Sequence, residues 1–490
     1  MTAQQFQEAI ARSFPYTPTS GQAELLGLLT SFIGRPGNER PVFVLKGYAG
    51  TGKTTIVSAL VKTLPLVKME CVLLAPTGRA AKVLASYSET HAYTIHKKIY
   101  MPRTATDGSM MLRLLPNKHR NTLFIVDEAS MIPGQSGDDR SLFGSRNLLD
   151  DLIAYVFEGD NCRLLLIGDT AQLPPVGSAL SPALDTAYLT QAFNLLIRSY
   201  ELTEVVRQSR ESGILANATA IRAKIAIKDT LFPFFGKNLQ PDVKRVEGAD
   251  LEDLLNTAYS RWGAENVVVI TRSNKRANIY NREIRNRILY REGELAAGDH
   301  LMVVRNNYFW LSPESKAGFV ANGDIVEVKR IRKDETLYGF RFADVTLRMV
   351  DYPDEPEMDA RLLLDTLSTE TPALSQEENR KLFEEVMLDY ADIPQRSKRI
   401  EMVKSNPWFN ALQIKYAYAL TCHKTQGGQW DAVFIDHGFL AEGQPDIELM
   451  RWLYTAITRA SQVVYFVNFD ERFFGVESDN HGDKEATEND

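Results

Sequence analysis

Short apolar runs recur along the chain, and each of them ends in a polar loop. Such segments are "CVLLAPTG" (71–78), "TLFIVDEAS" (122–130), "RLLLIGDTAQLPPVG" (163–177), "VVVITRSN" (267–274), "YAYALTCHKTQGG" (416–428), "DAVFIDHG" (431–438) and "QVVYFVNF" (462–469). Helical patterns lie between many of them, and this alternation indicates parallel sheets in α/β domains. Ligands bind beyond the carboxyl ends of such strands, which is where the polar loops lie.

Two segments break this alternation and predict antiparallel β structure. Residues 97–121 contain "TDGS", a good hairpin turn, between short strand-like flanks. Residues 298–350 contain "GDHLMVVRNNYFW", "NGDIVEVKRI" and "YGFRFADVTLRMV", which predict antiparallel strands in a small β-barrel or sheet. Residues 374–404 have a highly charged helical pattern and interrupt this β region.

The stretch "FVLKGYAGTGKTTIVSAL" (43–60) predicts a site for a nucleoside triphosphate. Residues 43–45 predict a buried strand and residues 56–61 a helix, with Gly47-x-x-x-x-Gly52-Lys53-Thr54 between them. Glycine lets backbone N–H groups turn towards a ligand, and the positive end of the helix dipole adds to that anion site. Lys53 can reach the β- and γ-phosphates, and the Thr54 hydroxyl can coordinate Mg²⁺. The alternative is a glycine-rich turn without a ligand.

Three polar side chains that follow predicted strands can serve hydrolysis. Asp127 can hold Mg²⁺ and Glu128 can polarise the attacking water as a general base, unless both are solvated loop acids. Gln172 can sense the γ-phosphate because an amide both donates and accepts hydrogen bonds, or it can lie in a proline-stiffened turn.

Three further side chains are candidates for contacts with the nucleotide. Arg207 in "LTEVVRQ" and Arg459 in "LYTAITRAS" can act as arginine fingers that stabilise charge at the γ-phosphate, although an arginine is more often a surface residue. Gln22 in "YTPTSGQAELLGLL" can pair with N6 and N7 of adenine, but its segment also predicts a capped helix start.

The segments "APTGRAAKVL", "TIHKKIY" and "CHKTQGG" offer short polar donors and cations that suit a phosphate backbone. In the first two segments these groups belong to Pro76, Thr77, Arg79, Thr94, His96 and Lys97, and in the third they belong to residues 422–428. A lone histidine is more often a hydrogen-bonded structural residue, which is the alternative for both histidines here. We do not expect either histidine to bind a metal, because no partner lies at ligand spacing.

The length of 490 residues predicts two to four domains. No apolar stretch has the length of a membrane span, and the N-terminus lacks a signal-peptide core. The three cysteines, Cys71, Cys162 and Cys422, are far apart and indicate buried apolar roles in a reducing cytoplasm. The net charge of −7 argues weakly against a nucleic-acid partner, but part of it belongs to the tail "ESDNHGDKEATEND", which we predict to be disordered.

Taken in order, "GYAGTGKTT", "DEAS", "GDTAQLPPVG", "VVRQ", "HKTQGGQWDAVFID" and "YTAITRA" resemble successive motifs of superfamily 1B DNA helicases of the RecD and phage Dda type. The match spans nearly the whole chain, from Gln22 to Arg459. The resemblance implies an α/β protein with two RecA-like P-loop NTPase lobes that have parallel sheets. It also implies a β-hairpin insertion in the first lobe and a small SH3-like β-barrel insertion in the second.

The resemblance assigns roles to individual residues. It implies nucleotide contacts from Gln22, Gly47, Ala49, Gly50, Thr51, Gly52, Lys53, Thr54, Thr55 and Gly428, and a hydrolytic set of Lys53, Glu128, Gln172, Arg207 and Arg459. Thr54 and Asp127 would hold Mg²⁺. Single-stranded DNA would run along Pro76, Thr77, Thr94, His96, His423, Lys424 and Thr425. The insertion at 97–121 would be a pin that splits the duplex, with Met110 or Met111 as candidate wedges.

The expected domains are a first lobe at 1–200 containing the pin, a second lobe at 201–297 and 411–475, a barrel with a helical extension at 298–410, and an acidic disordered tail at 476–490. The helical piece near 374–404 resembles the extension by which the barrel of Dda contacts its pin. We expect a cytoplasmic, monomeric, ATP- and Mg²⁺-dependent DNA helicase that moves 5′→3′ on single-stranded DNA and acts at junctions, in repair, recombination or replication. Other repair or replication proteins are candidate partners. The alternatives are an ATPase subunit of a nuclease or repair complex, and an RNA helicase.

Overall fold

A computed structural model of the chain contains two parallel sheets, a closed barrel and a two-stranded ribbon. The structure describes residues 1–35, 39–104, 110–134, 147–178, 180–206, 212–236, 239–312, 315, 317, 319–438 and 445–475, and the side chains of 102–111 lie outside it. Arg207, the predicted disordered tail and the side chains of Met110 and Met111 therefore lie outside the described residues. Within the described ranges, no helix is long and apolar enough to cross a membrane.

In chain order the strands are β1 (Pro41–Gly47), β2 (Glu70–Ala75), β3 (Ala92–Thr94), β4 (Tyr100–Thr104), β5 (Met110–Leu114), β6 (Thr122–Val126), β7 (Arg163–Gly168), β8 (Leu196–Leu202), β9 (Val243–Val246), β10 (Val267–Thr271), β11 (His300–Val303), β12 (Ile325–Leu337), β13 (Phe340–Met349), β14 (Met358–Leu363), β15 (Leu412–Tyr416), β16 (Ala419–Thr421), β17 (Trp430–Asp436) and β18 (Ala460–Val467). The helices are α1 (Ala3–Arg12), α2 (Ser20–Ile33), α3 (Lys53–Thr63), α4 (Gly78–Ser88), α5 (Ile95–Ile99), α6 (Leu148–Glu158), α7 (Thr186–Phe193), α8 (Gly213–Ile227), α9 (Leu251–Trp262), α10 (Asn274–Glu283), α11 (Asp365–Ser368), α12 (Gln376–Leu388), α13 (Arg396–Lys404), α14 (Cys422–Thr425) and α15 (Ile447–Ile457). A π-helix, Ile284–Ile288, continues α10.

The first lobe is built on a six-stranded sheet in the order β3-β2-β6-β7-β1-β8. Every neighbouring pair in it is parallel. Helices α2, α3 and α4 cover one face around Leu25, Leu60 and Leu84, and α5 and α6 cover the other around Ile95 and Leu152. Because both faces are buried, the inner strands can be apolar throughout instead of alternating with polar residues.

The second lobe is built on a five-stranded parallel sheet in the order β16-β10-β17-β18-β9. Helices α8 and α15 pack on one face around Ile221 and Leu453, and α9 and α10 pack on the other around Leu255 and Ala277. The predicted apolar runs coincide with β2, β6, β7, β10, β16, β17 and β18. The prediction of two α/β lobes with parallel sheets is therefore confirmed.

Strands β11 to β15 close a barrel that interrupts the second lobe. β12 and β13 are joined through Tyr338 and Gly339, whose φ angles of 55° and 75° fit a two-residue type I′ turn. We predicted that the barrel ends at residue 410, but Leu412–Tyr416 closes it by pairing with both β11 and β14. The predicted small barrel is present, and its SH3-like classification stays a prediction.

The charged segment 374–404 forms α12 and α13, which pack on one end of the barrel. Leu382 and Val386 of α12 and Val403 of α13 lie against Phe340 and Phe342 of β13. The helical prediction for this segment is thereby confirmed. Its contact with the pin stays a prediction, because the side chains of the pin lie outside the described residues.

Strands β4 and β5 form an antiparallel ribbon inside the predicted insertion at 97–121. The pairing runs from Tyr100 with Leu114 to Thr104 with Met110, and the connecting turn lies outside the described residues. Tyr100 fixes the base of the ribbon, because its hydroxyl donates to the Asp151 carboxylate of α6 at 2.7 Å. The role of the ribbon as a pin stays a prediction.

The barrel contacts the first lobe at the start of α4. Asp324, which precedes β12, is 1% exposed, and its Oδ1 has no hydrogen-bond partner among the described atoms. A Cβ atom on Gly78 would lie 2.5 Å from that oxygen, so this approach requires glycine. Lys82 of the same helix donates to the Val350 carbonyl at 3.0 Å and lies 3.8 Å from the Asp351 carboxylate. Burial raises the pKa of Asp324 to about 8.

We expect Asp324 to make the stability of the protein depend on pH. The unfolded-state pKa of an aspartate is about 3.9, and the folded value is about 8. Between these values the folded protein holds a proton that the unfolded chain releases, so the free energy of unfolding falls as pH rises. Chemical denaturation at pH 5 and pH 8 should show a smaller fall for Asp324→Asn than for the unmodified chain. The difference between the two curves should change by at most about 1.4 kcal/mol per pH unit.

Asp334→Asn, at an exposed carboxylate on the same barrel, is the matched control for that comparison. Lys97 and Asp351 also act on Asp324, and both are retained in every variant. Parallel curves for the unmodified chain and Asp324→Asn would contradict the assignment of a buried proton to this carboxyl.

Candidate functional site

The phosphate loop is a continuous turn from the end of β1 to the start of α3. Within it lie the predicted nucleotide contacts Gly47, Ala49, Gly50, Thr51, Gly52, Lys53, Thr54 and Thr55. Gly50 and Gly52 have φ angles of 74° and 85°, in the left-handed region that favours glycine. No side chain caps the N–H groups at the start of α3, so these donors remain available to an anion. Lys53 Nζ lies over the loop and donates to the Gly47 and Tyr48 carbonyls at 2.6 and 2.8 Å.

Gln22 connects the start of α2 to the phosphate loop. Its Oε1 accepts from the Thr19 N–H at 3.0 Å as part of a capping box, and its Nε2 donates to the Thr51 carbonyl at 3.0 Å. The capped helix start that the sequence allowed is therefore present, and the same side chain lies beside the loop. One N–H and one lone pair of the amide remain for another partner. The adenine-reading role stays a prediction.

Asp127 and Thr54, the two predicted Mg²⁺ ligands, both interact with the hydroxyl of Tyr87 in α4. The Tyr87 hydroxyl donates to Asp127 Oδ2, and the Asp127 Oδ1 atom accepts from the Glu128 N–H at 2.9 Å. A hydroxyl and a carboxylate are hard oxygen ligands that suit Mg²⁺, which also takes phosphate oxygens and water. The described residues contain no cluster of three His, Cys, Asp or Glu side chains fit for a metal.

Glu128 follows Asp127 in the left-handed region, with φ of 51°, which is uncommon for a residue that carries a side chain. This turn faces the second lobe, where Arg459 Nη1 lies 3.9 Å from Glu128 Oε1. Burial raises the pKa of Glu128, and the Arg459 guanidinium partly opposes that shift. A carboxylate with a raised pKa is a better proton acceptor, as general-base catalysis requires.

Arg459 lies just beyond the C-terminal end of α15, and its side chain is 5% exposed. Its guanidinium donates to the Thr455 carbonyl at 3.1 Å and to the Gly428 carbonyl at 3.3 Å. The structure thus brings Gly428 and Arg459 of the second lobe together with Glu128 of the first, although both follow Glu128 by at least 300 residues in the chain. Arg207 lies outside the described residues. Val206, which precedes it, donates its N–H to the Gly50 carbonyl of the phosphate loop at 3.0 Å.

Gln172 lies in the loop that follows β7, and it is 6% exposed. Its Oε1 atom is buried without a hydrogen-bond partner in the described part of the chain. Its backbone carbonyl, together with that of Thr170, accepts from the Arg451 guanidinium of α15. The predicted sensor is therefore held at the interface of the two lobes, with an unpaired acceptor on its side chain.

Sequence reasoning missed most of the side chains that hold this loop. Leu173 donates its N–H to the Thr455 hydroxyl at 2.8 Å, and its carbonyl accepts from Gln426 Nε2 at 2.7 Å. The hydroxyl of Tyr454 lies between Asp169 and the Ala49 N–H. All of these residues fall within segments that resemble helicase motifs, but the residue types alone gave no sign of which partners they would meet.

The candidate DNA contacts lie at the carboxyl ends of strands in both lobes. Pro76 and Thr77 follow β2, and Thr94 ends the neighbouring strand β3. Thr77 and Thr94 cap α4 and α5 with their hydroxyls, which accept from N–H groups at 3.2 Å. His96 is the second residue of α5, and burial lowers its pKa to about 4. Its imidazole is therefore neutral at pH 7 and can meet a phosphate only as a hydrogen-bond donor.

The second lobe supplies His423, Lys424 and Thr425, which form the short helix α14 after β16. Burial lowers the pKa of both His423 and Lys424. Thr425 is fully buried, and its hydroxyl donates to the Cys422 carbonyl at 2.8 Å. Because that hydroxyl is committed to its own helix, the geometry favours a structural role for Thr425 over contact with DNA.

The two lobes also meet beside these candidate DNA contacts. The Arg79 guanidinium of α4 lies 3.9 Å from the centre of the Trp430 ring and donates to the Gln429 carbonyl at 3.1 Å. A Cβ atom on Gly427 would lie 3.2 Å from the Thr77 hydroxyl. The segment at residues 427–430 therefore packs directly on the start of α4.

Two protein-family models match this chain: an AAA domain at residues 35–228 and a UvrD-like helicase C-terminal domain at residues 416–467. The ATP-dependent RecD2 DNA helicase of Deinococcus radiodurans is 35% identical over 36% of this chain and 21% of its own length. The ATP-dependent DNA helicase Dda of Enterobacteria phage T4 is 30% identical over 36% of this chain and 37% of its own length. The ATP-dependent DNA helicase Pif1 of Psychrobacter is 23% identical over 80% of this chain and 61% of its own length.

The matches to these three relatives thus span less than two thirds of each relative. The AAA match contains the phosphate loop, Asp127, Glu128 and Gln172, and the UvrD-like match contains Arg459. These matches confirm the resemblance that the order of motifs predicted. The chain therefore contains an AAA domain and a UvrD-like helicase C-terminal domain, and it is similar to the DNA helicases RecD2, Dda and Pif1.

Proposed function

We propose that this protein couples ATP hydrolysis to 5′→3′ movement along single-stranded DNA and to separation of duplex DNA. The observation that carries the proposal is the contact of Arg459 with Glu128, because it joins the second lobe to the hydrolytic side of the first. An arginine in that position can stabilise the charge that develops on a γ-phosphate. The direction of movement rests on the resemblance to the superfamily.

In this proposal the first lobe binds and hydrolyses ATP. Phosphates would bind the N–H groups of the loop, and Lys53 would exchange its bonds to two loop carbonyls for bonds to phosphate. Thr54 and Asp127 would hold Mg²⁺, which when bound neutralises phosphate charge. Glu128, with its raised pKa, would accept the proton of the attacking water.

The second lobe would convert hydrolysis into movement. When Arg459 loses its contact with the γ-phosphate, a strong charged interaction between the lobes is lost, which biases a two-state hinge towards opening. Pro76, Thr77, Thr94 and His96 on one lobe and His423 and Lys424 on the other would grip DNA alternately. Because these contacts would be made to the phosphate backbone of the DNA, binding would depend on salt and be nearly independent of DNA sequence.

We propose the same division into domains that the sequence predicted, with the ribbon β4–β5 as the pin that separates the two DNA strands. Gln22 would read adenine, Gln172 would sense the γ-phosphate, and Arg207 would be a second finger from the segment after Val206. Participation in repair, recombination or replication, a monomeric state and a cytoplasmic location are parts of the proposal that rest on the sequence.

Lys53→Ala should lower DNA-stimulated ATP hydrolysis by at least about a hundredfold, because the variant loses the cation that stabilises the transferred phosphoryl group. Single-strand binding should survive, because the hydrogen bonds of Lys53 among the described residues are to the phosphate loop and not to a candidate DNA contact. Lys62→Ala, at an exposed lysine on the same helix, is the matched control and should hydrolyse ATP normally. Full ATPase activity of Lys53→Ala would refute the nucleotide-site assignment.

The direction of movement can be read from strand displacement with tailed duplexes and ATP. We expect displacement of duplexes with a 5′ single-stranded tail and little displacement of those with a 3′ tail. The reverse preference would overturn the polarity, and hydrolysis without displacement would favour an ATPase subunit of a larger complex. The same duplexes with RNA tails distinguish a DNA helicase from an RNA helicase, because only RNA offers the 2′-hydroxyl.

Replacing residues 101–116 by a short loop should reduce strand separation per ATP hydrolysed while leaving ATPase activity and single-strand binding intact. The replacement spares Tyr100, which is anchored on Asp151, and Asn117, whose amide donates to the Tyr155 carbonyl at 2.9 Å. The two anchors that flank the replaced segment are therefore retained. Unchanged unwinding per ATP would remove the pin from the mechanism.

A further inference from the structure

One buried hydroxyl connects three separate segments at the interface of the lobes. Tyr454, in α15 of the second lobe, accepts a hydrogen bond from the Ala49 N–H of the phosphate loop at 2.9 Å. The same hydroxyl donates to Asp169 Oδ2, at the end of β7, at 2.6 Å. Tyr454 and Asp169 are 1% and 2% exposed, so neither bond competes with bulk water.

We propose that the Tyr454 hydroxyl is a positioning group that fixes α15 against the phosphate loop and thereby sets the place of Arg459 at the nucleotide. This inference rests on the proposed ATPase function and adds to it a residue that acts through the arginine. Tyr454 itself does not touch Glu128 or the predicted metal ligands among the described contacts.

The geometry of α15 explains how one hydroxyl can act on a guanidinium five residues further along the chain. Tyr454 lies in the last turn of the helix, and Arg459 follows the helix end. The Arg459 guanidinium donates back to the Thr455 carbonyl, so it moves with the helix that Tyr454 holds. A shift of α15 relative to Ala49 would therefore change the distance of 3.9 Å between Arg459 and Glu128.

The protonation state of Tyr454 supports this role. Burial and the neighbouring Asp169 carboxylate raise the pKa of Tyr454, so the hydroxyl keeps its proton and donates it. The Asp169 carboxylate accepts a second hydrogen bond within the first lobe, from the Ala171 N–H to its Oδ1 at 2.9 Å. The carboxylate is thus held by a bond within its own lobe, and it offers a fixed acceptor to the Tyr454 hydroxyl of the second lobe.

Tyr454→Phe removes the hydroxyl and retains the ring that packs in the core of the second lobe. We expect the rate of DNA-stimulated ATP hydrolysis to fall on the order of tenfold, as unpaired buried groups disfavour the closed arrangement of the lobes. Single-strand binding without nucleotide should change by less than about twofold, because the Tyr454 hydroxyl bonds to Ala49 and Asp169 and to no candidate DNA contact among the described residues.

Tyr259→Phe is the matched control for that variant. Tyr259 is also a buried tyrosine of the second lobe, and its hydroxyl has no hydrogen-bond partner in the part of the chain that the structure describes. Hydrolysis by this variant should match that of the unmodified protein. A fall equal to that of Tyr454→Phe would mean that loss of any buried hydroxyl impairs this lobe, and the proposal would be wrong.

A double-mutant cycle with Arg459→Ala separates positioning from general damage. If Tyr454 acts through Arg459, adding Tyr454→Phe to Arg459→Ala should lower hydrolysis little further, because the group that it positions is already absent. Single-turnover hydrolysis of radiolabelled ATP keeps these slow variants measurable. Additive losses would overturn the proposal and leave Tyr454 a purely structural residue.

Asp169→Asn tests the same bond from the first lobe and serves if Tyr454→Phe does not fold. It should give a similar fall and the same lack of additivity with Arg459→Ala. The outcomes also separate this inference from the proposed function. Absence of DNA-stimulated hydrolysis in the unmodified protein would refute the proposed function, whereas normal hydrolysis in both Tyr454→Phe and Asp169→Asn would refute only the role of Tyr454.

Discussion

The structure depends on a buried guanidinium whose carboxylate partner lies in the other lobe. A charge removed from water needs a nearby counter-charge and hydrogen bonds, and Arg459 finds these in Glu128 and in the carbonyls of Thr455 and Gly428. Because the lobes must be together for this pairing, the proposed hydrolytic site would be complete only when they are closed. A site of this kind makes chemistry sensitive to the relative position of two domains.

The lobes meet on two sides, and this links the nucleotide to the candidate DNA path. On the nucleotide side, α15 holds the loop after β7 through Arg451, Tyr454 and Thr455. On the other side, Arg79 packs on the Trp430 ring. Packed interfaces tend to adopt discrete arrangements rather than deform continuously, so in the proposed mechanism a change on one side would be transmitted to the other. The barrel adds a third contact with the first lobe, at the start of α4.

The sequence predicted those parts of the fold that depend on local patterns. The inner strands are continuous apolar runs because helices bury both faces of each sheet. The glycines of the phosphate loop have a fixed spacing because its backbone has to turn at these positions. Edge and closing strands were harder to predict. β8 is largely half-exposed, and Leu412–Tyr416 was assigned to the second lobe although it closes the barrel. Their membership depends on partners distant in the chain, which no local pattern encodes.

By itself, the sequence determined two α/β lobes, the phosphate loop and the identity of the acidic, amide and arginine side chains around it, because spacing and residue type fix local geometry and chemistry. Only the tertiary structure decided which of these side chains meet. It joined Arg459 to Glu128, tied Gln22 to Thr51, committed the Thr425 hydroxyl to its own helix and brought Tyr454 between Ala49 and Asp169. The contacts of Arg459 and Tyr454 join residues hundreds of positions apart, and they arise from packing of whole elements, of which a linear pattern carries no record.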